Sequence, residues 1–248
     1  MADGIYVSMC GAAARAEQLD SVADNLANVE TRGFKAARPA FESFLPMAGK
    51  YDKTYTAAVA TALDLRPGPS TTTGNPLDVL PEGSAFLAVA TPSGEVAYTR
   101  DGRMSLDAER RLVVSGNPVL GKSGQPFVVP PDSTPEVDAQ GRVRAVLSSP
   151  SERASRPQGA DLGEIATFQL DGTVDRLGPT LVQPGAGGTA TPVENTKLRT
   201  GEVELANASP LEGMVQMISA QRSFDASMQA IQIYRSLDQS ATAVGRVK

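Results

Sequence analysis

Residues 116–123 read Gly-Asn-Pro-Val-Leu-Gly-Lys-Ser, a literal match to G-x-x-x-x-G-K-[ST]. In that pattern, backbone amides and the lysine cradle nucleotide phosphates. The chemistry needs a helix that starts at the lysine, so that its first amides and its dipole meet the phosphate. Here Gly124 and Pro126 follow, and then an apolar run. Two hairpin turns, at Gly116-Asn117 and Ser123-Gly124, with a short strand between them, account for these residues better. The Gly-rich stretch Gly185-Ala186-Gly187-Gly188 lacks the strand and helix that flank a dinucleotide site, and reads as a surface loop.

Acid/base and metal chemistry are equally poorly provided for. The densest carboxylates are Asp101, Asp107 and Glu109, interleaved with Arg100, Arg103, Arg110 and Arg111. That mixture describes a solvated hairpin surface with modest ion pairs. Histidine is absent, which removes the commonest general base and metal ligand. Cys10 is the only cysteine, and in an Ala-rich helical stretch it reads as a small packing residue. No catalytic residue, cofactor, metal or small-molecule substrate is expected. The net charge of −5, from 23 basic and 28 acidic side chains, offers no footprint for nucleic acid.

The elements that surround these motifs form a helix, a β-rich centre and a second helix. Ile5, Met9, Ala12, Ala16, Leu19, Ala23 and Leu26 recur at alternating spacings of four and three, the a/d rhythm of a coiled coil. Three of the seven are alanines, so the stripe buries little area and permits close helix approach. Thr31-Arg32-Gly33-Phe34-Lys35 reads as the helix end, with Gly33 as the left-handed C′ residue. Asn25 and Asn28 can cap backbone groups locally or hydrogen-bond to a neighbouring helix, and periodicity does not choose between these.

The last segment opens with Ser209 at N-cap, Pro210 at N1 and Glu212 at N3, a capping box. Behind it Met214, Met217, Phe224, Met228 and Ile231 fall on one face, and Leu211, Val215, Ile218, Ile233 and Leu237 on a second. A helix apolar on two faces expects cover on two sides. Gly213 costs this helix about 1 kcal/mol relative to Ala.

Between the ends, a Pro, Gly and Thr cluster from Arg66 to Pro76 reads as part of a linker over 46–74. Short β-rich runs follow at Phe86 to Val89, Val96 to Thr99, Leu112 to Val114, Phe127 to Val129, Val143 to Leu147 and Ile165 to Leu170. Turn signals punctuate them. The expected fold is α+β: terminal helices from 1–45 and 206–248 paired in a coiled-coil core domain, with an irregular antiparallel β-domain over 75–205 inserted between them. Asp20, Ser21, Asp24, Asn25 and Asn28 are mediocre helix formers, so both ends are expected to be largely disordered in a free monomer and to order on assembly. No signal-peptide pattern opens the sequence, and no run of about 18 apolar residues occurs, so neither Sec export nor direct membrane insertion is encoded in the usual way.

Asn25-Leu26-Ala27-Asn28-Val29-Glu30-Thr31-Arg32-Gly33-Phe34-Lys35 resembles the N-terminal signature of flagellar rod and hook proteins, roughly N-L-A-N-x-x-T-x-G-[FY]-K. Thr73 to Asp78, Tyr98 to Gly102, and Met214 through Gln221, Arg222 and Phe224 agree in order. Asp24, Ser84-Ala85-Phe86-Leu87 and Gly213 depart from the pattern. The resemblance implies a structural subunit of the basal-body rod whose terminal helices, by way of the residues named on them, form the assembly interface of a hollow, torque-transmitting axis. It also implies partnership with itself, with related rod subunits and with the flagellar type III export apparatus, and a place in the periplasmic rod reached without a cleaved signal. Hook proteins are much longer. Distal-rod proteins typically carry a Gln-rich stretch after the first helix, whereas Met47 to Leu65 contain no Gln, which makes a proximal-rod subunit the expectation.

Overall fold

The computed structural model describes residues 2–44, 55–147, 160–195 and 197–245. The chain is α+β, with a helix at each end and a mostly antiparallel β-domain between. Helix α1 spans Ala2–Ala27 and α2 spans Pro210–Gly245. The strands, in order, are β1 Ala37–Phe44, β2 Tyr55–Leu63, β3 Ser70–Thr72, β4 Val79–Pro81, β5 Ala85–Ala90, β6 Val96–Thr99, β7 Met104–Leu106, β8 Leu112–Val114, β9 Asn117–Pro118, β10 Ser133–Val137, β11 Arg142–Leu147, β12 Ala160–Glu164, β13 Thr167–Asp171, β14 Val174–Arg176, β15 Leu181–Pro184, β16 Thr189–Pro192, β17 Leu198–Thr200 and β18 Glu202–Glu204. They divide between two compact units.

The first unit comprises Met1–Ala27, Ala37–Ala62 and Ala208–Lys248. Helices α1 and α2 pack along each other, and α1 also meets β1, which pairs with β2. The stretch from 37 to 63 therefore carries two strands that the sequence pattern did not announce. Residue 45, the last of the expected terminal helical segment, and residues 46–54 of the expected linker lie outside the described residues.

The second unit comprises Asn28–Ala36 and Leu63–Asn207. Its largest sheet has six strands in the order β14-β15-β6-β5-β13-β16. Alternation along β5 divides the core: Leu87 and Val89 join Val79, Leu112, Val114, Val143 and Ile165 in one cluster. Phe86 and Ala88 join Tyr98, Leu120, Leu170 and Val182 in another. Period-two geometry produces this split, because neighbouring side chains of a strand point to opposite faces. Five of the six expected strand runs appear as β5, β6, β8, β11 and β13, while Phe127 to Val129 makes only an isolated bridge through Val128 to Arg111. Strands distant in sequence form two further two-stranded sheets: β18 pairs with β3, and β17 with β4, both antiparallel.

The helix end differs from expectation. Helix α1 stops at Ala27, and Thr31 N–H donates to Asn28 O at 2.9 Å in a following turn. Gly33 has φ of 67°, but its amide donates to Glu204 O at 3.0 Å instead of capping the helix. A Cβ there would lie 2.2 Å from the Asp101 amide nitrogen. The glycine serves close approach of two backbones, a use that looks identical to a C′ cap in sequence.

Candidate assembly surfaces and the buried charge cluster

Helix α2 starts with half of the expected capping box: the Glu212 carboxylate accepts from Gln216 Nε2 at 2.9 Å and not from the Ser209 amide. The Glu212 amide faces Ser209 Oγ at 3.5 Å, and Gly213 N–H donates to Ser209 O at 2.9 Å. Against α1 it runs antiparallel: Leu26 lies beside Gly213, and Gly11 beside Ser227.

The face of α2 turned to α1 holds buried Ala220 and Ile231 with half-buried Met217 and Phe224. The opposite face is open: Leu211 is 74% exposed, Val215 60%, Ile218 55% and Ile233 59%. Met214, Met228 and Leu237 are also exposed, as are Gln221 and Arg222. Of the first expected face, Met217, Phe224 and Ile231 are covered within the chain, whereas Met214 and Met228 are exposed.

On α1, burial does not follow a single a/d stripe. Ala12 is buried, and Ala16, Leu19 and Leu26 are half-buried, but Met9 and Ala23 are exposed while Ala14, Ser21 and Val22 are buried. Ile5 sits within α1, with its side chain outside the described residues. A broad arc of α1 is enclosed because α2 and β1 both pack on it. Asn25 resolves its own ambiguity: its Nδ2 donates to Ala37 O at 2.8 Å, and its Oδ1 accepts from Ala37 N–H at 2.7 Å. This side-chain amide pairs with the first residue of β1 as a strand backbone would. Asn28 accepts from Thr31 Oγ at 3.4 Å, also within the chain.

The end of the signature leads into a charge cluster. Phe34 is fully buried beneath the Arg176 guanidinium, 4.4 Å from the ring centroid. Lys35 reaches Glu204 Oε1 at 2.6 Å and donates to Arg66 O at 2.8 Å. Arg100 Nε donates to Glu204 Oε2 at 2.7 Å, a second guanidinium nitrogen joins it, and Arg100 also donates to Ala85 O. Gly68 N–H gives Glu204 a further bond at 3.0 Å. The Phe86 ring lies below both cations. All three ionic side chains are buried, so two cations share one carboxylate away from water. Burial pushes the Lys35 ammonium below its ordinary value, against the pull of Glu204. Asn207 continues the arrangement, accepting from Ala36 N–H at 2.7 Å and donating to Asp64 O at 2.7 Å. Gly33 and Phe34 are therefore enclosed by the chain's own residues.

The phosphate-loop match lands on turns. Lys122 ion-pairs with Glu164 at 2.5 Å and donates to Glu194 O at 2.8 Å, and Gly124 N–H closes a turn on Gly121 O. Beside it an open cavity of about 350 Å³ is lined mainly by apolar side chains, Ala88, Val96, Leu120, Phe168 and Pro192 among them.

Comparison with known proteins bears on these features directly. Residues 5–35 match the family model described as flagella basal body rod protein, residues 82–145 that of the flagellar hook protein FlgE/F/G D1 domain, and residues 199–244 that of the flagellar basal body rod FlgEFG protein C-terminal. The flagellar basal-body rod protein FlgF of Mesorhizobium japonicum is 31% identical over 236 residues, covering 91% of this chain and 90% of the relative. The chain belongs to the flagellar basal-body rod protein family. FlgF of Salmonella typhimurium is 30% identical over 239 residues, with 93% of each chain covered, and FlgG of Borreliella burgdorferi is 29% identical over 255 residues, with 94% of each covered.

This rod protein is accordingly a structural subunit of the basal body, and its relatives' names are those of a structural protein. No helix among its described residues is long and apolar enough to cross a membrane. Each of the three matched regions of the rod protein contributes one member of the charge cluster: Lys35, Arg100 and Glu204. Sequence reasoning passed over that cluster. Lys35 and Arg100 stood inside quoted motifs, but Glu204 carried no local signal.

Proposed function

We propose that the rod protein polymerises head to tail through its terminal helices, forming a coiled-coil core of a hollow, torque-transmitting axis, and that it occupies the proximal rod. The observation that carries this reading is the second apolar face of α2, where Leu211, Val215, Ile218 and Ile233 are exposed although Met217, Phe224 and Ile231 on the first face are covered. An apolar ridge of that kind on a helix marks a protein interface. A contact between two different surfaces of identical subunits does not close on itself and generates a helical filament. The partners in this reading are further copies, related rod subunits and, before assembly, the flagellar type III export apparatus, through which the chain passes unfolded. Gain of helix order on assembly accompanies it, since α2 alone exposes much of the surface that favours its helix.

The proximal position is supported by the Ala- and Thr-rich connection after α1, which has no Gln between Met47 and Leu65. Purified basal bodies from cells making the labelled full-length chain test both parts. Label next to the membrane-ring end is expected. Label continuing out to the hook junction refutes the proximal assignment, and retention in basal bodies of a chain cut after Ser209 refutes assembly through α2.

A further inference from the structure

We propose that the outward face of α2 docks antiparallel on the outward face of α1 in a second copy, in the register that sets Arg222 against Asp20. This inference rests on the reading of the chain as a polymerising rod subunit and specifies its contact. The outward face of α1 is small and acidic: Ala13, Ala23 and Ala27 are exposed along it with Met9, and Asp20 is flanked by Glu17 and Asp24. The outward face of α2 is large and apolar, interrupted midway by exposed Arg222. Bulky side chains opposite alanines allow close helix approach, and a lone cation amid apolar residues fixes register. Among the described residues neither Asp20 nor Arg222 makes an ion pair or hydrogen bond within the chain.

Spacing selects the alignment. Ala13, Asp20 and Ala27 recur every seven residues on α1, and Val215, Arg222 and Gln229 every seven on α2. Run antiparallel, the rows put Val215 on Ala27, Arg222 on Asp20 and Gln229 on Ala13, and one further turn brings Ile233 to Met9. At about 100° per residue, Asp225 falls on the Ala16 flank of this contact, away from Glu17. Direction follows from the fold. Within each copy α1 and α2 are antiparallel, so in a stack whose copies all point one way, α2 of one copy meets α1 of the next antiparallel. The parallel alternative, with Val215 on Ala13, also pairs Arg222 with Asp20. It requires one copy to be inverted, which closes a pair and ends growth.

Cysteine cross-linking in basal bodies separates the two. In a Cys10→Ser background, cells co-produce two full-length forms, one carrying Ala27→Cys and the other Val215→Cys. The expected result is a reducible dimer of this chain, absent when Ala13→Cys replaces Ala27→Cys. Asp20→Arg and Arg222→Asp singly should each lose that cross-link and incorporation, and together regain both. A link from Ala13→Cys in place of Ala27→Cys, a link from Val215→Cys to a different rod subunit, or incorporation with neither link overturns the register while leaving the rod reading intact. Absence of the unmodified chain from basal bodies overturns both.

Discussion

Replacing Glu204 with Gln preserves the shape of a fully buried side chain and leaves an acceptor for the Gly68 amide, but it strips the only negative charge from between Lys35 and Arg100. Two cations are then buried with no counter-charge. Removing one partner of a buried ion pair costs about 3–5 kcal/mol, because the other charge remains desolvated and unpaired. Against a total stability of about 5–15 kcal/mol, this is a large fraction. At about 2–4 °C per kcal/mol for a chain of this size, the melting temperature should fall by about 6–20 °C. Lys35→Met makes an instructive contrast, since it leaves Glu204 and Arg100 as a balanced pair and should cost less, about 1–3 kcal/mol. The double variant should be less destabilised than the sum of the two, because they share one network. Urea unfolding of the full chain followed by far-ultraviolet circular dichroism measures all three. A loss below about 1 kcal/mol for Glu204→Gln, or a larger loss for Lys35→Met than for Glu204→Gln, would falsify the view that two buried cations depend on one shared carboxylate.

Other outcomes follow from single features. Gly33→Ala should cost more than about 2 kcal/mol, from positive φ and a Cβ driven onto the Asp101 backbone, whereas Gly124→Ala, also at positive φ but with open space around it, should cost about 1 kcal/mol; equal urea midpoints would contradict this. Ser209→Ala should lower helix stability by about 0.5–1 kcal/mol, seen as faster hydrogen exchange confined to the first turn of α2. For Asp138, burial raises the carboxyl pKa, but hydrogen bonds from the Arg142 backbone and guanidinium and from the Gln140 amide outweigh it and hold the group below its usual range. A depressed folded-state pKa contributes stability that is present above the unfolded value and lost as pH falls through the folded one. Asp138→Asn should therefore flatten the acid limb of a stability-versus-pH curve below about pH 4 and leave neutral stability less changed than Glu204→Gln does.

What was legible in the sequence was local. The start of α2 was written in Ser209, Pro210 and Glu212, and five strands, β5, β6, β8, β11 and β13, announced themselves by apolar runs between turn residues. The two faces of α2 were legible because its side chains are large. On α1 the same argument slipped: alanine marks buried and exposed positions alike, so the seven-residue stripe ran partly along the open face. Strand β2 lay hidden in an Ala- and Thr-rich stretch, and β1, Ala-Arg-Pro-Ala-Phe-Glu-Ser-Phe, has no strict alternating pattern. Lys35 and Glu204 are separated by 169 positions, and no period or spacing links them. Their pairing exists only because the backbone of Gly33 to Ala36 runs beside that of Glu204 to Asn207.

That late closure has a consequence for timing. The β-domain needs β17 and β18 to pair with β4 and β3, and Glu204 to reach Lys35 and Arg100, before those cations meet their shared counter-charge. A chain that emerges N-terminus first, whether from a ribosome or from any narrow conduit, holds only the unmatched cations until about four-fifths of it has appeared. Contacts so distant in sequence form slowly and only once both ends are free. The stretch just before α2 therefore supplies the last partners that the buried cations and the strands β3 and β4 require.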